Sequence, residues 1–151
     1  MTDSGAADAR FLLRNVVDAL PEGALAEQLA GGRKLRVKLG VDPTAPDIHL
    51  GHVVVLRKLR EFQDLGHQVV LIIGDYTARV GDPSGRNTTR PQITPEEIEH
   101  NAATYQRQAF TVLDPGKTEV RRNGEWLDMP TEELFRLART ATVAQLLERA
   151  G

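Results

Sequence analysis

Along residues 34 to 41 apolar and charged side chains alternate, with Leu35, Val37, Leu39 and Val41 on one face and Lys34, Arg36 and Lys38 on the other. That period of two predicts a strand with one buried face, and Gly40 within it lets another group approach the backbone closely. From Leu50 to Leu65 the period changes. Val53, Val54, Leu56, Leu59, Phe62 and Leu65 recur at helical spacing, and Gly66 is placed to end the helix in a left-handed conformation. Val69 to Ile73 is an unbroken apolar run, as expected of a strand buried on both faces. Ahead of these, Phe11, Leu12, Val16, Leu20, Leu25 and Leu29 predict helix over the first 30 residues, interrupted at Pro21 and ended by Gly31-Gly32.

Beyond the second strand, Gly74 to Pro91 is polar and glycine-rich and reads as a long loop, or a loop around a short turn, of a length that points to function. Thr94-Pro95-Glu96-Glu97 has the N-cap, N1 proline and N3 glutamate of a helix start, and that helix is expected to run to about Leu113. Thr118 to Arg122 reads as a short strand, Asn123-Gly124 as a turn and Thr131 as the start of a further helix. Thr142 and Gln145 form a second capping box. Trp126 and the apolar positions of these later helices are read as core, and His67 and His100 as surface residues.

Strand, helix and strand over about 40 residues make a βαβ unit with parallel strands. The turn after the first strand and the amino end of the next helix then lie at the carboxyl edge of the sheet. Open α/β sheets bind ligands there, and a helix amino terminus favours anions. Composition narrows the class. The 151 residues contain no cysteine, which removes disulfides, thiolate metal sites and a cysteine nucleophile together. Nineteen Lys and Arg against 21 Asp and Glu are not the balance of a broadly basic nucleic-acid coat. The chain has neither an apolar run of the roughly 20 residues a membrane helix needs nor a signal-like start. The expectation is a soluble cytoplasmic α/β protein.

Two clusters carry candidate chemistry. In His49-Leu50-Gly51-His52 two imidazoles three residues apart share one helix face at the expected helix start. Imidazole N–H groups there can donate to phosphate oxygens, with the helix dipole adding to the effect. Gly51 removes the Cβ that would keep a planar ring or ribose away. The same two histidines also fit half of a metal site, or ordinary surface positions. The second cluster is Gly81-Asp82-Pro83-Ser84-Gly85-Arg86, with Arg90 beyond. Asp82 is suited either to bonding its own turn or to receiving an ammonium group, and Arg86 and Arg90 offer planar forks to a polyphosphate.

The run from Asp42-Pro43-Thr44 through His49-Leu50-Gly51-His52 resembles the HIGH signature of class I aminoacyl-tRNA synthetases. Together with Gly81-Asp82-Pro83-Ser84-Gly85-Arg86 it is similar to the bacterial tyrosyl-tRNA synthetases, from about Phe11 onward. The resemblance implies a Rossmann-type parallel sheet with flanking helices that activates tyrosine with ATP and its Mg2+ and then charges tRNA(Tyr). It implies that His49 and His52 stabilise the phosphate in the transition state, and that Gly40, Asp42, Pro43 and Thr44 line the pocket. Gly51 packs beneath the adenosine. By the same resemblance Thr77 and Asp82 hold the tyrosine ammonium, Gly40 and Asp42 line the tyrosine side of the pocket, and Arg86 and Arg90 hold the departing pyrophosphate.

The resemblance also divides the chain into an N-terminal helical segment (1–33), a Rossmann βαβ with both motifs (34–93) and the start of a connective, dimer-forming insertion (94–151). Lys38-Leu39-Gly40-Val41 replaces the Tyr-Cys-Gly-Phe run of many members, so no reader of the tyrosine hydroxyl is assigned there. The four lysines, Lys34, Lys38, Lys58 and Lys117, match no KMSKS-type loop. The expectation is therefore the first half of such an enzyme, incomplete alone and prone to self-association. A non-catalytic nucleotide-binding or dimerisation remnant is the alternative, with a stand-alone nucleotidyltransferase behind it.

Overall fold

The computed structural model describes residues 3–80, 93–142 and 145. Three parallel strands, β1 (Arg36–Val41), β2 (Gln68–Ile73) and β3 (Thr118–Arg122), form one sheet in the order β1-β2-β3. Helix α3 (Leu50–Asp64) joins β1 to β2, and α5 (Pro95–Ala109) lies between β2 and β3. Because the strand order steps in one direction, right-handed crossovers place both helices on the same face. The core agrees. Leu56 and Leu59 of α3, Ala102 and Ala109 of α5, and Val69, Leu71 and Ile73 of β2 form a single buried cluster, with Val37, Leu39, Val41 and Val120 packed against it.

The alternation read along β1 is present: Val37, Leu39 and Val41 are half-buried, while Arg36, Lys38 and Gly40 are exposed. On that second face Arg36 reaches across β2 to Glu119 of β3, 2.5 Å away, and the pair lies beside buried Val70. Exposed ion pairs of this kind contribute little stability, but they shield an apolar strand from water. At the opposite corner the side chain of Gln63, fully buried near the end of α3, accepts from Asp114 N and donates to Asp114 O and Thr118 Oγ1. A buried amide with its polar atoms satisfied fixes where β3 begins.

Several expectations need correction. The N-terminal segment is two helices, α1 (Asp3–Leu12) and α2 (Ala24–Ala30), because the stretch from Leu13 to Gly23 turns back and brings Ala9 and Leu12 against Leu29 and Leu35. Asp75–Val80, expected within the loop, is helix α4, with an aspartate at its positive end. Residues 81–91 of that expected loop lie outside the described residues. Helix α5 stops at Ala109, where turns through Thr111 and Val112 carry the chain to buried Leu113. Asn123-Gly124 opens a short helix, α6 (Gly124–Leu127), rather than a simple turn.

Burial corrects the core as well. Val54 is 70% exposed on the outer side of α3. Trp126 is 43% exposed and Phe135 65% exposed, and Leu134 and Leu137 are exposed with Phe135 on α7 (Thr131–Ala138), so these residues are not core within the described chain. His67, expected at the surface, is buried, and its Nδ1 accepts from Leu35 N at 3.3 Å. Both capping boxes are present: Thr94 with Glu97, and Thr142 with Gln145.

Candidate functional site

At the carboxyl edge of β1 the chain leaves the sheet through Asp42, Pro43 and Thr44 and reaches α3 at Leu50. Helix α5 holds this loop by side chain to backbone. Asn101 Nδ2 donates to Pro43 O at 3.1 Å, and Ile48 N donates to Gln108 Oε1 at 2.8 Å. Gln108 Nε2 also donates to Asp47 Oδ1 at 2.6 Å. Pro43 itself is fully buried, so the loop is anchored in the core on one side while Asp42 and Thr44 stay exposed. Neither Asn101 nor Gln108 was singled out from the sequence. Nothing marks them within α5 except their place on it.

The amino end of α3 is capped by the two histidines acting on each other's turn. His49 is the N-cap, with its Nδ1 accepting from Gly51 N at 3.1 Å, and His52 Nδ1 accepts from His49 N at 3.2 Å. The rings stack with centroids 4.0 Å apart, and His52 meets the edge of buried Tyr105. A Cβ at Gly51 would lie 2.9 Å from His49 Cε1, so the glycine is what lets His49 fold over the first turn. With both Nδ1 atoms accepting, each neutral ring carries its proton on Nε2, away from the cap. Burial and the neighbouring His49 lower the pKa of His52 from its ordinary value, which favours that neutral form.

At the carboxyl edges of β2 and β3 a polar chain connects all three strands. Asn123 Nδ2 donates to Thr77 Oγ1 at 2.8 Å, and Thr77 Oγ1 donates to Asp42 Oδ1 at 2.7 Å. The directions follow from the partners: the Asn123 NH2 can only donate and the Asp42 carboxylate only accept, and the hydroxyl lies closer to Asp42 than to Gly74 O at 3.3 Å. Gly74 makes the contact possible, since a Cβ there would sit 1.8 Å from Asp42 Oδ1 and 2.5 Å from Thr77 Oγ1. Thr77 and Asp42, both expected at the site, are thus brought together. Asn123, expected only in a turn, joins them. Gly40 lies beside Ile72 on the sheet face opposite the Val37–Leu39–Val41 side, where among the described residues a Cβ would meet nothing within 4 Å. Asp82, Arg86 and Arg90 lie outside the described residues. Among those described, no group of three or more His, Asp or Glu is arranged to hold a metal ion, and no helix is long and apolar enough to cross a membrane.

A three-stranded parallel sheet that gathers polar side chains and a histidine-capped helix at its carboxyl edge is an α/β domain of the class that binds ligands at that edge. Residues 30–151 match the family model described as tRNA synthetases class I (W and Y), and the chain belongs to that family. Among curated proteins it is 64% identical over 141 residues to a tyrosine–tRNA ligase of Thermotoga maritima, with 93% of this chain and 35% of the relative covered. It is 54% identical over 148 residues to a tyrosine–tRNA ligase of Bordetella avium, covering 95% and 36%. The chain therefore spans about a third of the length of the curated relatives it matches. In fold it is similar to the tyrosyl-tRNA synthetase of Aeropyrum pernix (TM-score 0.74, 18% identity, 95% of this chain and 42% of that one). It is also similar to the tyrosyl-tRNA synthetase from Archaeoglobus fulgidus solved with L-tyrosine (TM-score 0.72, 23% identity, 91% and 41%).

Proposed function

We propose that this chain forms the ATP- and tyrosine-facing part of a tyrosine–tRNA ligase, which activates tyrosine with Mg-ATP and transfers it to tRNA(Tyr). The observation that carries this reading is the reciprocal His49–His52 cap. It leaves two Nε2–H donors at the positive end of α3, beside the carboxyl edge of a parallel sheet. In activation the tyrosine carboxylate attacks the α-phosphorus. One carboxylate oxygen–phosphorus bond forms, the bond to the bridging oxygen of pyrophosphate breaks, and pyrophosphate leaves with the electron pair. No proton transfer is needed, so the protein's task is to place the reactants and stabilise charge on the phosphate oxygens.

In this reading His49 and His52 donate to the phosphate as charge builds on it. Gly51 keeps the first turn of α3 open to the nucleotide, while Gly40, Pro43 and Thr44 shape the pocket. Asp42 keeps one carboxylate oxygen on Thr77 and turns the other toward the tyrosine ammonium. Thr77 and Asp82 complete that ammonium site, and Arg86 and Arg90 receive the pyrophosphate. Residues from 94 on contribute β3 to the sheet and lead into a connective region that forms a homodimer.

The test is tyrosine-dependent ATP–pyrophosphate exchange in a chimaera in which this chain replaces the matching segment of the Thermotoga maritima ligase. The unaltered sequence supports exchange. His49→Ala lowers its rate by about 10²–10³-fold, the usual loss on removing one such donor. Equal exchange after both His49→Ala and His52→Ala would overturn the reading.

A further inference from the structure

We propose that Asp75 is a positioning residue for the ammonium site, holding Asn123 in the one orientation that aims Thr77 at Asp42. The inference rests on the reading of Asp42 and Thr77 given above and adds a residue to it. Asp75 opens α4 and is buried, with a relative exposure of 9%. Its Oδ1 accepts from Gly124 N at 2.9 Å, the peptide unit directly after Asn123. Gly124 allows this approach, since a Cβ there would stand 3.2 and 3.3 Å from the two carboxylate oxygens.

The orientation of the Asn123 amide follows from one shared donor. Tyr76 N lies 2.9 Å from Asp75 Oδ1 and 2.9 Å from Asn123 Oδ1. Because Tyr76 offers a proton, the Asn123 oxygen must face it, and the Asn123 NH2 must then face Thr77 Oγ1. Thr77, already receiving a proton, spends its own on Asp42. With the amide reversed, Asn123 would set an NH2 against the Tyr76 N–H and an oxygen in front of Thr77, and the Thr77 proton would be drawn away from Asp42. Asn123 is held from the backbone side as well, by its N–H to Ile73 O at 3.0 Å.

Asp75 has a further tie. Arg122 Nη1 lies 3.9 Å from Asp75 Oδ2, while the same guanidinium pairs with Glu99 of α5, with Nη2 on Glu99 Oε1 at 2.7 Å. Asp75 thereby joins the start of α4, the end of β3 and α5 around Asn123. A carboxylate accepting two backbone N–H groups in a nearly buried place is worth more than a surface contact; its removal leaves Gly124 N unmet, while Tyr76 N keeps only Asn123 Oδ1.

The experiment reads position and binding separately in the chimaera in which this chain replaces the matching segment of the Thermotoga maritima ligase. Backbone and side-chain amide NMR signals of Asn123, Gly124 and Tyr76 report the orientation, and titration with tyrosine and with ATP reports affinity. In Asp75→Ala the Asn123 NH2 signals move, and the dissociation constant for tyrosine rises on the order of tenfold while that for ATP stays within about twofold. Asp75→Asn, which keeps an acceptor for Gly124 N, restores most of both. If Asp75→Ala does not fold, Gly124→Ala displaces the same carboxylate and is expected to move the same Asn123 signals. Unchanged Asn123 side-chain signals in a folded Asp75→Ala or Gly124→Ala variant overturn the proposal, as does an equal loss of tyrosine and ATP affinity. An unaltered chimaera that binds no tyrosine counts against the functional reading, and the NMR comparison still decides the position of Asn123.

Discussion

At the amino end of the sheet the chain is held by Ala9, Leu12, Leu29 and Leu35, with Val37, Phe62 and Leu65 packed around them and one histidine, His67, accepting from Leu35 N. At the carboxyl end the corresponding work is done by polar side chains. Asn101 and Gln108 hold the loop after β1, and Asn123 and Thr77 hold Asp42. The difference is one of purpose. Apolar packing is roughly proportional to buried area and indifferent to direction, so it supplies stability. Hydrogen bonds contribute less net energy each but fix distance and direction, so they supply geometry for a ligand. Polar groups also leave spare donors and acceptors facing outward, which an apolar end cannot do.

Four substitutions separate the two ends. The largest effect on stability belongs to Leu12→Ala, which empties a fully buried position at the amino end. It is expected to lower the unfolding free energy by about 2–5 kcal/mol, measured by urea denaturation, with tyrosine affinity of the folded fraction unchanged. A loss of affinity without a loss of stability would contradict the division. Asn101→Ala is intermediate. It strands the carbonyl of buried Pro43 and is expected to cost about 1–3 kcal/mol. It also weakens ATP binding, because the loop leading to His49 loosens; calorimetric titration checks both.

The smallest effect is that of pH at His67. Burial lowers its pKa from the ordinary 6.5, with nearby Asp8 opposing and Lys34 adding to the shift. A histidine with a lowered folded pKa favours the fold while neutral, so its contribution is present above about 6.5 and is lost as pH falls toward its folded value. The bond from Leu35 N to Nδ1 requires the same neutral form. The melting temperature should therefore decline below about pH 6.5, and His67→Gln should flatten that decline. His52, lowered for related reasons, adds a similar slope at the carboxyl end, and His52→Ala in the same background separates the two.

Periodicity and punctuation by themselves determined most of the elements. The alternation of Leu35 to Val41, the apolar run Val69 to Ile73, Gly66 with its φ of +91° and the Thr94–Glu97 box are local signals, written within a few residues. The His49–His52 pair was legible for the same reason, since residues three apart on a helix start must meet. What the tertiary structure decided depends on partners distant in sequence. Asn123 lies 46 residues from Thr77, Asn101 58 from Pro43 and Gly124 49 from Asp75. No period or spacing brings such residues together. They meet because three parallel strands stack in one order and deliver their carboxyl ends to one edge. The same holds for burial: His67 looked like a surface residue until α1, α2 and β1 closed around the start of β2. Trp126 and Phe135 looked like core until their helices were found with those side chains turned outward.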